Sequence, residues 1–168
     1  LPHIEHWETV YRNQPVETTS WFQVTPEVSL ALIGQSRLEK NAAIIDVGGG
    51  ASKLVDNLLL QGFEDVSVLD ISASALRISK ARLNNPLRGV HWIECDLLHF
   101  EPERRYDLWH DRALFHFMTG ERQRAAYRRI LDKAVAPGGH VIIATFAIDG
   151  PEQCSGLPVR RYDADAVR

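Results

Sequence analysis

The sequence predicts an α/β fold, doubly wound around a mainly parallel sheet. Three observations predict it. Five apolar runs have strand length, amphipathic stretches of helical spacing separate several of them, and three consecutive glycines, Gly48-Gly49-Gly50, stand where the first run ends. Strands alternating with helices need crossover connections, which lay helices on both faces of a parallel sheet. Right-handed crossovers then give the doubly wound arrangement.

The first run is Ala43–Val47. After the glycines, Leu54, Val55, Leu58 and Leu59 recur at helical spacing, and Gly62 stops the segment. The second run, Val66–Leu69, leads into Asp70. Ser72 or Ser74 can cap a helix carrying Leu76 and Leu83, which ends before Asn84-Asn85-Pro86. The third run, Val90–Glu94, is followed by Asp96-Leu97, and the fourth is Tyr106–Trp109. Tyr127, Ile130, Leu131 and Ala134 form a further helical stripe, ended by Pro137-Gly138-Gly139 before the fifth run, Val141–Phe146. At the end, "RYDADAVR" (161–168) reads as a cap, Asp163, and a first helical turn. The sequence holds no internal repeat and no low-complexity segment.

Composition narrows the function classes. A chain of 168 residues, 45% hydrophobic and 24% charged, is ordinary for a globular domain with a real core. Its net charge of -3 leaves no broad basic footprint for nucleic acid or an anionic membrane. No apolar stretch is long enough to span a bilayer, and the start lacks a basic-then-apolar signal pattern. Two cysteines, Cys95 and Cys154, make neither a metal spacing nor a disulfide framework, which fits a reducing cytoplasm and gives no metal site. The chain does not begin with Met, as a processed or partial chain would not.

The glycines ask for a ligand. In doubly wound folds ligands sit outside the carboxyl ends of the strands, and these glycines lie at the carboxyl end of the first. A P-loop would need Gly-x-x-x-x-Gly-Lys-Ser/Thr, which is missing. A dinucleotide fingerprint would need a third glycine where Lys53 stands. Acidic residues follow three successive strands: Asp46 at the first, Asp70 at the second, Asp96 at the third. A shared ligand that presents hydroxyls, an amine and positive charge explains all three. Each also has a plainer reading. Asp46 would fix the glycine loop by accepting from its backbone, and Asp70 would cap the next helix.

Asp46-Val47-Gly48-Gly49-Gly50-Ala51-Ser52 resembles the first motif, Asp/Glu-x-Gly-x-Gly-x-Gly, of class I S-adenosylmethionine (AdoMet) methyltransferases, with Ser52 in place of the last glycine. The resemblance covers roughly residues 40–147 in the order of its motifs. It implies a Rossmann-like methyltransferase fold, AdoMet as cofactor and S-adenosylhomocysteine (AdoHcy) as product. It implies that Gly48, Gly49 and Gly50 let the cofactor approach the backbone. Asp46 would help hold the methionine moiety. Asp70 would accept both ribose hydroxyls, Ile71 and Leu97 would cover the adenine, and Asp96 would accept its amino hydrogen. AdoMet carries no phosphate, so the missing third glycine costs little.

"HWETVYRNQPVETTSWFQ" (6–23) resembles the opening of the thiopurine and tellurite-resistance type small-molecule methyltransferases. There a Trp-containing helix precedes a segment that closes over the cofactor. The matching residues are Trp7, Thr19, Trp21, Phe22 and Gln23, with Trp21 and Gln23 placed at the cofactor. "LWHDRALFHF" (108–117) resembles the stretch after strand four of the same group, where an aspartate-arginine pair borders the acceptor. "DGPEQCSGLPV" (149–159) resembles their loop after strand five. Asp111, Arg112 and His116 are therefore the expected catalytic set, with Asp111 also beside the cofactor, and His110 is a further candidate base. In the plainer reading Trp21 and Phe22 pack on the sheet, Arg112 pairs with an acid, and His110, His116, His91, His99 and His140 are structural. Glu121, Arg122, Arg124, Arg128 and Arg129 read as a solvated helix face.

The expected organisation is one methyltransferase domain over 1–168. Residues 1–38 form a lid or cap, and 40–168 form a core that lacks the antiparallel C-terminal hairpin usual in the class, as a truncated chain would. The expected reaction moves a methyl group to a small-molecule acceptor, with soft S, Se or Te atoms favoured by analogy. A protein lysine methyltransferase of the same fold and a non-catalytic AdoMet-binding domain are the alternatives, and a nicotinamide oxidoreductase is more distant. No Asn-Pro-Pro-Tyr follows strand four, against the common amino-methylating nucleic-acid enzymes. The acceptor and the oligomeric state are not legible in the sequence.

Overall fold

The structure, a computed structural model, describes residues 2–83 and 89–167. The chain runs α1 (Pro2–Asn13), a short 3-10 turn (Val16–Thr18), α2 (Glu27–Gln35), β1 (Ala43–Val47), α3 (Leu54–Leu60), β2 (Asp65–Asp70), α4 (Ala73–Leu83) and β3 (Val90–Glu94). After a second turn (Leu97–His99) come β4 (Tyr106–Arg112), a third turn (Phe115–Phe117), α5 (Glu121–Ala134), β5 (Val135–Ala144), the two-residue strands β6 (Gln153–Cys154) and β7 (Leu157–Pro158), and α6 (Ala164–Val167).

The main sheet has five parallel strands in the order β3-β2-β1-β4-β5. The chain winds outward from β1 in both directions, so the carboxyl end of β1 is the point where the order reverses. A crevice opens there. Alternation along each strand fills two cores. Ile44 and Leu108 face Ile33, Leu54, Leu58 and Leu76 of α2, α3 and α4 on one face. Ile45 and Trp109 face Tyr127, Ile130 and Ala134 of α5 on the other. All five residues of β1 are buried, as a central strand covered on both sides must be.

The doubly wound parallel sheet stands as expected, with differences at the element ends. β4 continues three residues beyond Trp109, so His110, Asp111 and Arg112 are strand residues. β5 begins at Val135, directly after α5, and Pro137-Gly138-Gly139 is an excursion within it, not the end of the helix. Tyr106 pairs with Val135 but Leu108 already pairs with His140, and Gly138 turns the looped-out residues at φ +78°. Ser72 is the cap of α4, its Oγ accepting from the Ala75 N–H at 3.1 Å. The stop at Asn84-Asn85-Pro86 lies outside the described residues. Asp163 caps α6, accepting from the Ala166 N–H at 2.8 Å. Among the described residues no antiparallel hairpin joins the main sheet. β6 and β7 pair only with each other.

The N-terminal segment is more structured than its sequence announces. α1 lies against α4 through one carboxylate. Glu8 Oε1 accepts from the Ser72 hydroxyl at 2.8 Å and the Ser74 N–H at 2.9 Å, and Oε2 accepts from the Ser74 hydroxyl at 2.7 Å. Burial alone would push this carboxyl up. The hydrogen bonds from Ser74 and Ser72, with the Arg12 guanidinium at 2.9 Å, outweigh it and hold the carboxyl at about 2, against an ordinary 4.5. A depressed carboxyl stabilises the docked helix above pH 4.5, and that contribution is lost as pH falls from 4.5 towards 2. Glu8→Ala removes charge-assisted bonds of about 1.5–3 kcal/mol each. Amide exchange across residues 2–13 is expected to speed up at least about tenfold at neutral pH. Unchanged exchange would show that α1 is held by its other contacts.

Candidate functional site

A cavity lies over the carboxyl ends of β1, β2 and β4, beneath α1 and the segment that follows it. Its wall includes Asp46, Gly48, Gly49, Asp70, Ile71, Asp96, Leu97, Trp21, Gln23 and Arg112. Residues from five separate stretches of sequence therefore meet at the switch point of the sheet.

At the floor, the Gly48 and Gly49 N–H groups both donate to the Leu69 carbonyl, at 2.7 and 3.2 Å, folding the loop tightly over β2. Gly48 and Gly50 have positive φ, +70° and +35°. A Cβ on Gly48 would lie 2.7 Å from Leu114 Cδ1, and one on Gly49 would run into the Asp46 carboxylate. The loop thus presents bare backbone to the cavity, a cradle that side chains would fill. Gly50 lies one layer down. It does not line the cavity, and its carbonyl accepts from the Ser79 hydroxyl at 2.8 Å.

Asp46 does not brace the loop through backbone amides. Its Oδ1 lies 2.7 Å from His110 Nδ1, and His110 Nε2 lies 2.9 Å from Ser29 Oγ. With Asp46 ionised, His110 donates from Nδ1 and its Nε2 accepts the Ser29 hydroxyl proton. This fully buried relay ties β1, β4 and α2 together and fixes where Asp46 points. His110 reaches the cavity wall, but both ring nitrogens are engaged, so it is a structural residue and not a free base.

Asp70 is buried at the end of β2, its Oδ1 accepting from the Ser72 N–H at 2.8 Å, and it still lines the cavity. Asp96 caps the turn after β3 through the Leu98 N–H at 3.0 Å, with His99 Nδ1 3.6 Å from its other oxygen. Ile71 is half-buried and Leu97 buried, both on the cavity wall. The three acidic strand ends and the two apolar neighbours are together, as their order along the chain predicts.

The acceptor-side set divides. Asp111 does not face the cavity, which corrects the catalytic and cofactor-side positions expected for it. It is fully buried, its Oδ1 accepting from the Leu114 and Phe115 N–H groups at 2.9 and 3.1 Å and its Oδ2 from the Tyr127 hydroxyl at 2.8 Å. Burial pushes its carboxyl up to about 6, against those three hydrogen bonds. It pins the loop after β4. Asp111→Ala leaves three buried donors unmet, a cost of about 1–3 kcal/mol, and thermal unfolding should move down by roughly 2–4 °C per kcal/mol. A catalytic carboxylate would instead lose turnover at unchanged melting temperature.

His116 is also corrected. Its ring is buried between Phe117 and Phe146, at 4.4 and 4.9 Å between centroids, away from the cavity. Neither ring nitrogen has a hydrogen-bond partner, and burial pushes its pKa down to about 4, so the imidazole is neutral. Of the expected set only Arg112 lines the cavity. One of its N–H groups reaches the Trp21 carbonyl at 3.1 Å, tying β4 to the N-terminal segment.

Trp21 and Phe22 both pack against neighbours and line the cavity. Phe22 packs on Val16, Ala51 and Ala75, and Trp21 meets Trp7 edge-on at 5.8 Å, while both line the cavity. Trp7 also meets Phe117 at 5.5 Å and Tyr11 at 6.2 Å. Tyr11, Glu8, Met118 and Gln123 have no part in the sequence reading. The Trp7–Tyr11 spacing of four, which puts both on one helix face, was the available signal. Ala113 carries φ +70° and lines the cavity, a strained turn that sends Leu114 over Gly48. Burial pushes the thiols of Cys95 and Cys154 up, so neither is a ready nucleophile. Among the described residues no three His, Cys, Asp or Glu side chains gather to hold a metal ion, and no helix is long and apolar enough to cross a membrane.

A parallel sheet with a bare glycine loop at its switch point, three acidic strand ends and no phosphate-binding fingerprint defines a nucleoside-cofactor transferase of the class I methyltransferase type. The family model for the methyltransferase domain matches residues 44–139, and the chain belongs to that family. By family and fold it is a class I AdoMet-dependent methyltransferase. No curated protein matches the sequence. Solved structures match the fold. One, from work on conversion of a disulfide bond into a thioacetal group during echinomycin biosynthesis, is 22% identical with TM-score 0.72, over 98% of this chain and 75% of the other. The N-methyltransferase NodS from Bradyrhizobium japonicum WM9, in complex with AdoHcy, is 18% identical with TM-score 0.65, over 80% of this chain and 70% of the other. A DhpI-SAM-HEP complex is 22% identical with TM-score 0.61, over 87% and 67%.

Proposed function

We propose that this domain transfers the methyl group of AdoMet to a small-molecule acceptor, with residues 1–38 as its cap and 40–168 as its core. The carrying observation is the roof of the cavity: Trp7, Tyr11 and Trp21 of the N-terminal segment, with Phe117, wall its outer end. A protein acceptor would have to displace that roof. A small apolar molecule would use it.

Asp46, Gly48 and Gly49 would hold the methionine end, with Gly50 supporting Asp70 from one layer down. Asp70 would hold the ribose, and Ile71, Asp96 and Leu97 the adenine, with Trp21 and Gln23 closing over them. The Gly48 and Gly49 backbone on the cavity wall and the cavity-facing carboxylates fit that group. Bound AdoMet supplies an activated methyl carbon and a neutral leaving sulfur. The chain's own residues orient the partners and exclude water. His110, Asp111 and His116 are each engaged or turned away, so the nucleophile has no proton acceptor among them. This supports an acceptor that arrives already nucleophilic, in line with the likeness of residues 6–23 to the thiopurine and tellurite-resistance type. The net charge of -3 and the free thiols Cys95 and Cys154 support a cytoplasmic enzyme that does not act on nucleic acid.

The test is release of AdoHcy from AdoMet across a panel of thiols, selenols, neutral amines and carboxylic acids, beside a lysine-containing peptide mixture and transfer RNA. Turnover with a low-mass acceptor is expected. Turnover confined to peptide or RNA would reject the small-molecule reading.

A further inference from the structure

Glu8 stands outside the cavity wall, yet it clamps the turn that carries two cavity residues. Asp70 ends β2, Ile71 follows it, and Ser72 leads into α4. One serine touches both carboxylates. The Ser72 N–H donates to Asp70 Oδ1 at 2.8 Å, and the Ser72 hydroxyl donates to Glu8 Oε1 at 2.8 Å. That hydroxyl also accepts from the Ala75 N–H at 3.1 Å, which fixes its direction. Ser74 holds Glu8 through its N–H at 2.9 Å and its hydroxyl at 2.7 Å, and Arg77 donates to the same hydroxyl at 2.7 Å. Ser72 is fully buried, so a bond lost there is costly. The clamp and the roof belong to one helix. Trp7 and Tyr11 of α1 line the cavity, and Glu8 and Arg12, each one position further on, pair at 2.9 Å on the neighbouring side.

We propose that Glu8 is a positioning residue for the cofactor site: through Ser72 it sets the turn that aims Asp70, so docking of α1 and binding at Asp70 are coupled. This rests on the methyl-transfer reading of the cavity. The coupling is reciprocal, and a cofactor that fixes Asp70 also favours the docked helix. Charge adds a second link. Burial, with the carboxylates of Asp46 and Glu8, pushes Asp70 up to about 7, against the N–H groups of Ser72 and Ile71. Glu8, held at about 2, stays ionised throughout that range. The other groups around Asp70 are Tyr11 of α1, whose phenol is pushed up by burial and by the Asp70 charge, His110 and Arg112 of β4, and Asp96 after β3. Glu8→Gln removes the charge and keeps a side chain that can still accept from Ser72 and Ser74.

The experiment is calorimetric titration with AdoHcy, with circular dichroism as the control for folding. At pH 8, Glu8→Ala is expected to weaken binding about tenfold in the parent but less than about threefold in the Asp70→Asn background, because the effect runs through that carboxylate. In Glu8→Gln the ratio of affinities at pH 8 and pH 6 should drop from about tenfold to about fivefold or less, since Asp70 ionises more easily beside a neutral neighbour. Failure of AdoHcy to bind the parent overturns the methyl-transfer reading and this one together. An equal loss from Glu8→Ala in both backgrounds makes Glu8 an anchor of the roof and overturns the positioning role alone. Parent-like affinity in Glu8→Ala, or an unaltered pH ratio in Glu8→Gln, overturns it as well.

Discussion

Gly50→Val is expected to reduce AdoHcy affinity by about 100-fold or more while the protein stays folded. The backbone there has φ +35°, a region that costs an L side chain roughly 1–2 kcal/mol. An added Cβ would stand 2.5 Å from Asp70 Oδ2 and 3.1 Å from Ala75 Cβ. Relief means pushing the Asp70 carboxylate out of place, an overpacking cost of about 1–3 kcal/mol. Those costs fall on the free protein too. The loss in binding is that of the Asp70 bonds to the ligand, about 1.5–3 kcal/mol each, and at about 1.4 kcal/mol per decade two such bonds reach that factor. Gly50 touches no ligand directly, so the effect travels through Asp70. Calorimetric titration with AdoHcy checks it, with circular dichroism as the control for folding. Parent-like affinity would mean that Asp70 does not set the cofactor's position.

The second large effect is a pH dependence of cofactor binding. Burial, with the charges of Asp46 and Glu8, pushes Asp70 up to about 7, against the N–H bonds of Ser72 and Ile71. An ionised Asp70 accepts hydroxyl protons, and a protonated one accepts fewer. Below pH 7 a proton must leave on binding, so AdoHcy affinity should fall about tenfold per pH unit and level off above 7. Stability of the free protein runs the other way. A folded pKa raised above the ordinary 3.8 favours the fold at low pH, and that contribution is lost as pH rises from 3.8 through 7. Asp111, pushed up to about 6, overlaps this window. The comparison with Asp70→Asn isolates Asp70. That variant should bind weakly at every pH, by the loss of bonds of about 1.5–3 kcal/mol each, with a flattened profile. An unaltered profile in Asp70→Asn would assign the titration elsewhere.

The convergence of the acidic strand ends on the cavity was legible because it obeys a local rule. Asp46, Asp70 and Asp96 each follow an apolar run, and strand ends converge in a parallel sheet whatever the loops do. The glycine triplet added the position. The placement of the residues at the end of β4 was not legible, because it depends on where side chains turn. Asp111 and Arg112 are adjacent in β4 and so point to opposite faces, one into the α5 core beside Tyr127 and the other into the cavity. Sequence adjacency made them look like a pair. His116 sits in a turn whose apolar neighbours, Phe115 and Phe117, mark it in hindsight as buried. The role of Glu8 required two segments 64 positions apart to meet, which no local pattern announces. β5 was read too short because Pro137-Gly138-Gly139 looks like a stop, and in the structure the sheet closes around the excursion.

Hydrogen exchange with and without AdoHcy tests the central claim most directly, because it reports where the ligand lies. Protection is expected at 48–52, at 70–72 and at 96–98, together with slowing across 15–23 as Trp21 and Phe22 close over the site. AdoHcy binding that leaves these four segments unchanged, or protects others in their place, would contradict the account.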